Sequence, residues 1–392
     1  MRNKVIVWGS DDFNTLGLMR ELGQSGLDLL FLIKGKKGMA ARSRYCQKYI
    51  ETANVEEGLQ YLLKQETDYQ AQPIIITNGD GISVLIDQHK PELEKKYIIP
   101  GTRKQGVLEH FTDKYNMTEL AAELGFATPW SKFVQWDSEI SDVTYPCIIK
   151  PSHLTPGHYN EFKFRICKDE TTLRKTLSMV RKESVFIVQQ YIPKEKDLLV
   201  YGARMQDGKT VLAGCMIRDR MADSGSFSHG YIISELPETA KESDIAKFLD
   251  TIDYVGLFSF EYGMTADNAY FFEVNLRNDG CSHYFLQAGA NIPLAWVKSC
   301  AGEDYSDVPT KVVGERWFID EVFDIENVLH RRISYSKYKQ DKKEATIFKY
   351  YDKEDVEPYK YVRRGKLRQL LQDLVLAKFR LYVVYCMDKF KK

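Results

Sequence analysis

One stretch of this sequence decides its fold: GLFSFEYGMTADNAYFFEVNLRN, which runs from Gly256 to Asn278. Both of its flanks are rich in aromatic residues and alternate with a period of two, which is the pattern of β-strands. The Ala-Asp-Asn segment at 266–268 has the composition of a tight turn. The stretch therefore predicts an antiparallel hairpin with a three-residue loop at 266–268.

In that hairpin two acidic residues face each other. Glu261 lies opposite Glu273, and Asn275 and Arg277 follow on the same face of the second strand. Directly opposed carboxylates repel each other. A hard cation such as Mg²⁺ removes that conflict, because it binds one or two carboxylates together with substrate phosphate oxygens. The alternative is a solvated strand face that happens to carry two acids.

The composition of the whole chain is that of an ordinary soluble protein. Its 392 residues predict two to three domains, and 28% are charged and 44% hydrophobic. The formal net charge is zero, so we expect no nucleic-acid partner. The seven cysteines are scattered singly, and the sequence shows no secretion signal and no apolar run long enough to span a membrane. These features predict a cytoplasmic protein.

The N-terminal part of the chain alternates strands and helices. Lys4–Trp8, Leu27–Ile33 and Pro73–Thr77 are short apolar runs separated by helical patterns, which predicts a Rossmann-like parallel sheet over 1–110. The glycine fingerprint of a dinucleotide site is absent after Gly9. Around Pro100–Thr102 this pattern changes.

Two lysines upstream of the hairpin complete a recognisable pattern. Lys150 ends an apolar strand before a proline, and Lys114 begins a helix. Each alone is unremarkable, but lysines that neutralise phosphate oxygens and carboxylates that hold Mg²⁺ would together form a nucleoside-triphosphate site. No Walker A sequence is present, so the chain is not expected to be a P-loop protein.

In the order and spacing of these motifs the chain resembles the ATP-grasp superfamily, in particular its carboxylate–amine ligases, including aspartate-ligating enzymes. The matching segments are Asp113-Lys114, Leu124–Pro129, Tyr145–Pro151, Val188–Pro193 and Glu273–Arg277. The resemblance implies an α/β, Rossmann-like domain at 1–110 followed by two α+β subdomains. These are a lid subdomain at 111–187 and a catalytic subdomain at 188–302, and a C-terminal extension follows at 303–392. The chain departs from the family pattern where Leu276 replaces a proline and where the loop after Lys150 contains only Gly157.

The resemblance also implies three groups of site residues. The groups that contact ATP are Lys114, Lys150, the main chain of Gln190, Tyr191 and Ile192, and Asp197. The ligands for Mg²⁺, with Mn²⁺ as an alternative, are Glu261, Glu273 and Asn275. Arg277 would hold the substrate carboxylate or the acyl phosphate made from it.

A second candidate region follows the strand at 210–217. Arg218 and Arg220 stand before a loop rich in serine and glycine, and either could contact a phosphate or carboxylate. The alternative is that they are exposed arginines in salt bridges. We expect His229 and His283 to be surface or packed residues, because no partner that would orient them is evident.

The expected function is an ATP-dependent carboxylate–amine ligase that makes an amide on a small molecule, a peptide or a cell-surface glycan precursor. Phosphorylation of a carboxylate gives an acyl phosphate, and this step needs mainly charge neutralisation and alignment. One alternative is an ATP-grasp carboxylase or other phosphoryl-activating enzyme. The other is a nucleotide-binding regulatory protein without turnover. A homodimer is left open.

The C-terminal tail is basic. From Tyr359 to Lys392 there are ten Lys/Arg and two Asp, which gives this tail a net charge of +8 and the rest of the chain −8. Within 363–392 leucines recur at helical spacing with basic residues between them. Such a segment could lie on the inner surface of an anionic membrane or dock on the catalytic body.

Overall fold

The N-terminal domain is a parallel sheet covered by helices on both faces. The computed structural model describes residues 2–35, 37–67, 70–152, 162, 164–223 and 225–372. The strands of this domain are β1 (Val5–Ser10), β2 (Leu29–Lys34), β3 (Lys48–Thr52) and β4 (Ile74–Thr77), and its helices are α1 (Phe13–Gly23), α2 (Val55–Lys64), α3 (Asp80–Gln88) and α4 (Lys90–Leu93). The strand order is β3-β2-β1-β4, and all pairs are parallel. The predicted Rossmann-like sheet is confirmed, with β3 as an edge strand that the sequence patterns did not indicate.

The next segment leads into a small antiparallel sheet, which we call the lid sheet. The connecting elements are β5 (Gly101–Thr102), α5 (Val107–Thr112) and α6 (Lys114–Glu123). The lid elements are β6 (Ser131–Val134), β7 (Cys147–Pro151), β8 (Arg165–Cys167), α7 (Glu170–Ser178) and β9 (Phe186–Gln190). The lid strands run in the order β6-β9-β7-β8 and enclose their own apolar core. Most of the loop after Lys150, including Gly157, lies outside the described residues.

The largest sheet, which we call the catalytic sheet, carries the predicted hairpin at 256–278. Its elements up to Cys300 are β10 (Lys196–Arg204), β11 (Thr210–Met221), β12 (Phe227–Ile233), α8 (Glu242–Thr251), β13 (Tyr254–Met264), β14 (Ala269–Asn275), α9 (Ser282–Gln287) and α10 (Ile292–Cys300). The C-terminal extension adds β15 (Arg316–Ile319), α11 (Ile325–Leu329), α12 (Tyr335–Glu344) and β16 (Ile347–Phe348). The order is β14-β13-β10-β11-β12-β15-β16, so the extension lengthens the catalytic sheet.

A continuous core joins the N-terminal domain to the catalytic sheet. Leu18 on α1, Phe31 on β2 and Trp296 on α10 are fully buried in one cluster. At the edge of this core Arg20 is wholly buried, and its Nε donates to Asp355 over 2.9 Å. The N-terminal domain is therefore packed against the catalytic sheet and the extension.

Residues 357–372 are helical and follow the extension. Val362 on this helix packs with Val322 and Tyr350, and Lys366 pairs with Glu326. The first part of the tail therefore docks on the body, while its continuation from 373 lies outside the described residues. Within the described part of the chain, no helix is both long and apolar enough to cross a membrane.

Candidate active site

The hairpin places the two glutamates opposite each other, as its alternation predicts. Strands β13 and β14 are antiparallel, and Glu261 pairs with Glu273. The predicted turn is wrong by one residue, because Met264 pairs with Ala269 and four residues lie between them. A bulge between the Glu261 and Tyr262 pairs absorbs the extra residue, so that Phe272 has no partner of its own. The facing geometry survives because the longer turn and the bulge compensate.

The bulge also gives the site one of its walls. The ring of Phe272 lies against Gly263, where a Cβ atom would stand 2.3 Å from the ring Cζ. Glycine is therefore required at 263 for the ring to take this position. Phe272 lines a cavity of about 640 Å³. The bulge thus turns an apolar side chain towards this cavity.

That cavity lies between the lid sheet and the catalytic sheet, and most of the predicted site residues line it. They are Lys114, Lys150, Gln190, Tyr191, Ile192, Asp197, Arg218, Glu261 and Glu273. Asn275 lies next to the cavity and contacts Glu261. Sequence reasoning missed the apolar walls, which include Ile148, Ile166, Met221, Phe227 and Phe272. The cavity therefore has apolar walls as well as charged groups, and we call the part around Glu261 and Glu273 its charged end.

The two facing carboxylates each have a cationic partner. The guanidinium of Arg218 donates to Glu261 over 2.7 Å, and the ammonium of Lys114 pairs with Glu273. Burial raises the pKa of Glu261, the charge of Arg218 lowers it, and the nearby Asp279 raises it further. The charges at this end of the cavity are nearly balanced, and a cation placed between the carboxylates would compete with Arg218 and Lys114.

Asn275 joins the carboxylates to Arg277. Its Nδ2 lies 3.3 Å from Glu261, and its Oδ1 accepts a hydrogen bond of 2.9 Å from Arg277. A half-turn of this amide would present its oxygen beside Glu261, so the side chain can serve as an oxygen ligand. Arg277 itself pairs with Asp80 on α3 over 2.6 Å. It therefore stands where the N-terminal domain meets the catalytic sheet.

Lys150 lies on the lid side of the cavity. Its ammonium donates to the Gln189 side chain over 3.2 Å. Burial, together with the charge of Lys114, lowers the pKa of Lys150 to about 8. The charged form of Lys150 is costly because it is buried and lies near Lys114. A bound anion would stabilise this charged form by supplying a counter-charge.

The two arginines of the second candidate region lie in different surroundings. Arg218 faces the cavity, whereas Arg220 forms a two-pronged pair with Asp324 at 2.8 Å and contacts Asp341 at 2.9 Å. Arg220 therefore ties β11 to the C-terminal extension by salt bridges. This is the alternative stated for it, except that the side chain is not exposed, and its contact with a phosphate or carboxylate stays a prediction. A register shift between Arg218 and Arg220 turns the two side chains to different surroundings.

The two histidines of interest are buried and lie outside the cavity lining. His283 packs beside Arg20, with 3.1 Å between its Nε2 and the guanidinium, and burial lowers the pKa of His283 well below its usual value. His229 lies 2.8 Å from Asp219, a partner that the sequence did not indicate. Both are packed residues, as expected.

The donor set at the charged end suits Mg²⁺. Glu261 and Glu273 offer only oxygen ligands, and Asn275 also offers an oxygen once its amide has made the half-turn. Oxygen ligands match the preference of this ion. Among the described residues no group of three or more His, Cys, Asp or Glu is arranged to hold a metal ion. Such a site would therefore depend on oxygen atoms from a bound phosphate, as is usual for Mg²⁺.

Comparison with protein families accounts for this arrangement. The family model described as the ATP-grasp domain matches residues 119–292. Residues 119–292 thus match an ATP-grasp domain. The match includes β7, β9 and the whole β13–β14 hairpin. The family assignment that the sequence motifs predicted is thus confirmed, and the parallel sheet before residue 110 precedes the matched domain.

Two curated relatives share this region at low identity. A D-aspartate ligase from Enterococcus faecium is 22% identical over 257 residues, which cover 61% of this chain and 61% of the relative. A formate-dependent phosphoribosylglycinamide formyltransferase from Bacillus velezensis is 25% identical over 255 residues, which cover 61% of this chain and 60% of the relative. The chain thus matches about three fifths of the length of these relatives.

Solved structures extend the likeness to most of the fold. N5-carboxyaminoimidazole synthetase from Staphylococcus aureus, complexed with ADP, superposes with a TM-score of 0.64 at 15% identity and covers 85% of this chain and 86% of that protein. An L-amino acid ligase from Bacillus licheniformis gives a TM-score of 0.60 at 12% identity and covers 78% of this chain and 76% of that protein. The likeness in fold to these two proteins therefore extends well beyond residues 119–292.

Proposed function

We propose that this protein is an ATP-dependent carboxylate–amine ligase. One observation carries the proposal: two facing glutamates and two lysines from a separate sheet and helix line one cavity, which also has apolar walls. The names of the D-aspartate ligase and the L-amino acid ligase among its relatives support the same reaction class.

The parts of the cavity suit the parts of a nucleoside triphosphate. The apolar walls Ile148, Ile166 and Phe272 would enclose the adenine, and Asp197 would contact the ribose. The N–H groups of Gln190 and Tyr191 already donate to the carbonyls of Trp130 and Pro146. In this segment, the groups that would contact adenine are therefore the backbone carbonyls and the backbone N–H of Ile192.

The charged end would hold the phosphates and the metal. Lys114 and Lys150 would neutralise phosphate oxygens, and Glu261, Glu273 and Asn275 would bind Mg²⁺ or Mn²⁺. When bound, the ion would supply charge neutralisation for the transferred phosphoryl group. Lys114 would then leave Glu273 for the phosphates, which exchanges one ion pair for another.

Arg277 would hold the substrate carboxylate beside the metal ligands. A free carboxylate resists attack by an amine, and transfer of the γ-phosphoryl group converts it into an acyl phosphate with a good leaving group. The amine then forms the C–N bond while inorganic phosphate departs. Because Arg277 is paired with Asp80 in this structure, the substrate would have to displace Asp80 from the guanidinium. Asp80 on α3 would thus compete with the substrate carboxylate for Arg277.

A second reaction on the same nucleotide site has support as well. One relative is a formate-dependent formyltransferase and one structural neighbour an N5-carboxyaminoimidazole synthetase, so activation of a one-carbon acid is the alternative. Retention of both lysines, both glutamates and Asn275 argues against a regulatory protein without turnover.

Several finer features belong to the same proposal. The acceptor would be a small amine or amino acid, or a peptide or glycan precursor. We propose a cytoplasmic location, which the single, scattered placement of the seven cysteines in the sequence supports. We also propose a homodimer, which light scattering of the purified chain would test.

The proposal is tested by release of ADP and phosphate. The purified chain would be incubated with Mg-ATP and pairs drawn from D- and L-amino acids, formate, bicarbonate and simple amines, and the product mass would be measured. The ligase function predicts that ADP is released only when an acid is present. It also predicts a product whose mass is the sum of the acid and the amine minus one water. If formate or bicarbonate were the only acids that support turnover, the result would favour activation of a one-carbon acid. Release of AMP in place of ADP would contradict both reactions.

The lowered pKa of Lys150 predicts that ATP binds more weakly at high pH. Below pH 8 the ammonium is charged and attracts phosphate, and above pH 8 it becomes neutral. Between pH 7 and pH 9 the dissociation constant for Mg-ATP, measured by calorimetry, should rise by up to about tenfold. Lys150→Arg should remove most of this rise, because arginine stays charged.

The matched control is Lys175→Arg on the exposed surface of α7. It should keep the pH dependence of the unaltered chain. An equal rise in Lys150→Arg would mean that another group causes the effect.

A further inference from the structure

The helix at 357–372 presents two different faces. On one, Val362 and Lys366 dock on the body, through an apolar cluster and an ion pair with Glu326. We call the opposite side the tail face; it consists of Arg363, Arg364, Leu367, Arg368 and Leu371, all exposed. Because the docked side is held by buried contacts, the direction in which the tail face points is set by the fold.

The tail face combines apolar and basic side chains. Leu367 is 58% exposed and Leu371 is 55% exposed, although both are large and apolar. From Pro358 to Gln372 there are five Lys/Arg and no acid. Exposed leucines among arginines on one side of a helix are typical of segments that lie in the boundary between water and lipid. Packing on the body does not explain these leucines, because the other side of the helix supplies that contact.

A basic concavity adjoins this face. A cavity of about 530 Å³ is lined by Arg42, Tyr361, Arg364 and Arg368, among others. The guanidinium of Arg42 stacks over the ring of Tyr361 at 4.2 Å, which holds one cation at the rim. A concave surface with several guanidinium groups suits a phosphate group at the surface of a lipid layer.

The sequence beyond the helix has the same character. Residues 373–392 contain five Lys/Arg and two Asp among mostly apolar residues, which leaves 359–392 with a net charge of +8. Nucleic acid would use the arginines but not the exposed leucines. An anionic bilayer uses both, because the charges attract its surface and the leucines enter its boundary.

We propose that the tail face binds the surface of an anionic lipid bilayer. Binding needs no turnover, so the proposal stands or falls independently of the ligase function. The arginines supply the attraction at long range, and the leucines supply the part that salt does not screen.

The test is flotation of the full-length chain with vesicles of phosphatidylcholine, with or without 30 mol% phosphatidylglycerol. We expect partition to the anionic vesicles only. The triple variant Arg363→Gln, Arg364→Gln, Arg368→Gln should lower partition by about 100-fold. The variant Leu367→Ser, Leu371→Ser should lower it by about tenfold and leave a binding that high salt abolishes.

The matched control changes three exposed lysines of α12, by Lys339→Gln, Lys342→Gln and Lys343→Gln. It removes the same net charge and should keep partition within about threefold of the unaltered chain. Thermal unfolding of all variants checks that they fold. Equal loss in the control, equal partition to neutral vesicles, or binding to RNA without binding to vesicles would each overturn the proposal.

Discussion

Glu273→Gln is expected to reduce ATP turnover by on the order of 10²–10³-fold or more, the usual loss when one electrostatic stabiliser of a transition state is removed. The substitution keeps the shape of the side chain but removes a charge that faces Glu261 across the hairpin. It also removes the partner of Lys114. Release of ADP, in the presence of Mg²⁺ and an acid and amine that support turnover, measures the effect.

The control for this experiment is Glu238→Gln, which makes the same chemical change at an exposed position outside the cavity lining. It should leave turnover unchanged within about twofold, as is usual for surface substitutions. Calorimetry with ATP in the absence of metal would measure nucleotide binding by itself, and so separate the role of the lysines from that of the metal ligands. Normal ADP release by Glu273→Gln would show that the metal site is assigned to the wrong residues.

The second large effect concerns stability. Arg20→Met should lower the free energy of unfolding by about 3–5 kcal/mol, because it leaves the carboxylate of Asp355 buried without its cation. The side chains of Arg20 and Asp355 are 0% and 1% exposed. Arg20 also donates to the carbonyl of Tyr350 over 2.9 Å, so the change loosens the contact between α1 and the C-terminal extension. Urea denaturation followed by fluorescence measures the loss.

An exposed ion pair provides the comparison. Arg174 and Glu170 on α7 lie 2.7 Å apart with side chains 55% and 50% exposed, so Arg174→Met should cost less than about 1 kcal/mol. The double variant Arg20→Met, Asp355→Asn should be more stable than Arg20→Met, since it no longer buries a lone charge. If Arg20→Met matched Arg174→Met, the buried pair would not be what holds these elements together.

The hairpin shows how far local patterns carry a prediction. Alternation of aromatic residues predicts the two strands and which residues share a face. The pairing of Glu261 with Glu273 also rested on a three-residue turn, and it holds because the longer turn and the bulge compensate. The turn length was wrong, since a bulge at Phe272 leaves no mark in the pattern. The lysines at 114 and 150 were predicted because each stands at the end of a clear element.

Residues whose partners are far away in sequence escaped prediction. Arg218 and Arg220 look equivalent in the sequence, yet Arg220 pairs with Asp324 and Asp341, more than 100 residues later. The pairing of Arg277 with Asp80 joins two domains in the same way. The extension after residue 302 carries no motif, and its strands β15 and β16 are short and are positioned by pairing to the catalytic sheet.

The ligase function requires that a substrate carboxylate receives the γ-phosphoryl group of ATP. It is tested most directly by labelling the carboxylate oxygens of aspartate, or of whichever acid supports turnover, with ¹⁸O and analysing the phosphate released. An acyl phosphate predicts that one ¹⁸O atom passes from the acid into each inorganic phosphate during amide formation. Phosphate without label, formed at the same rate as the amide, would contradict the claim.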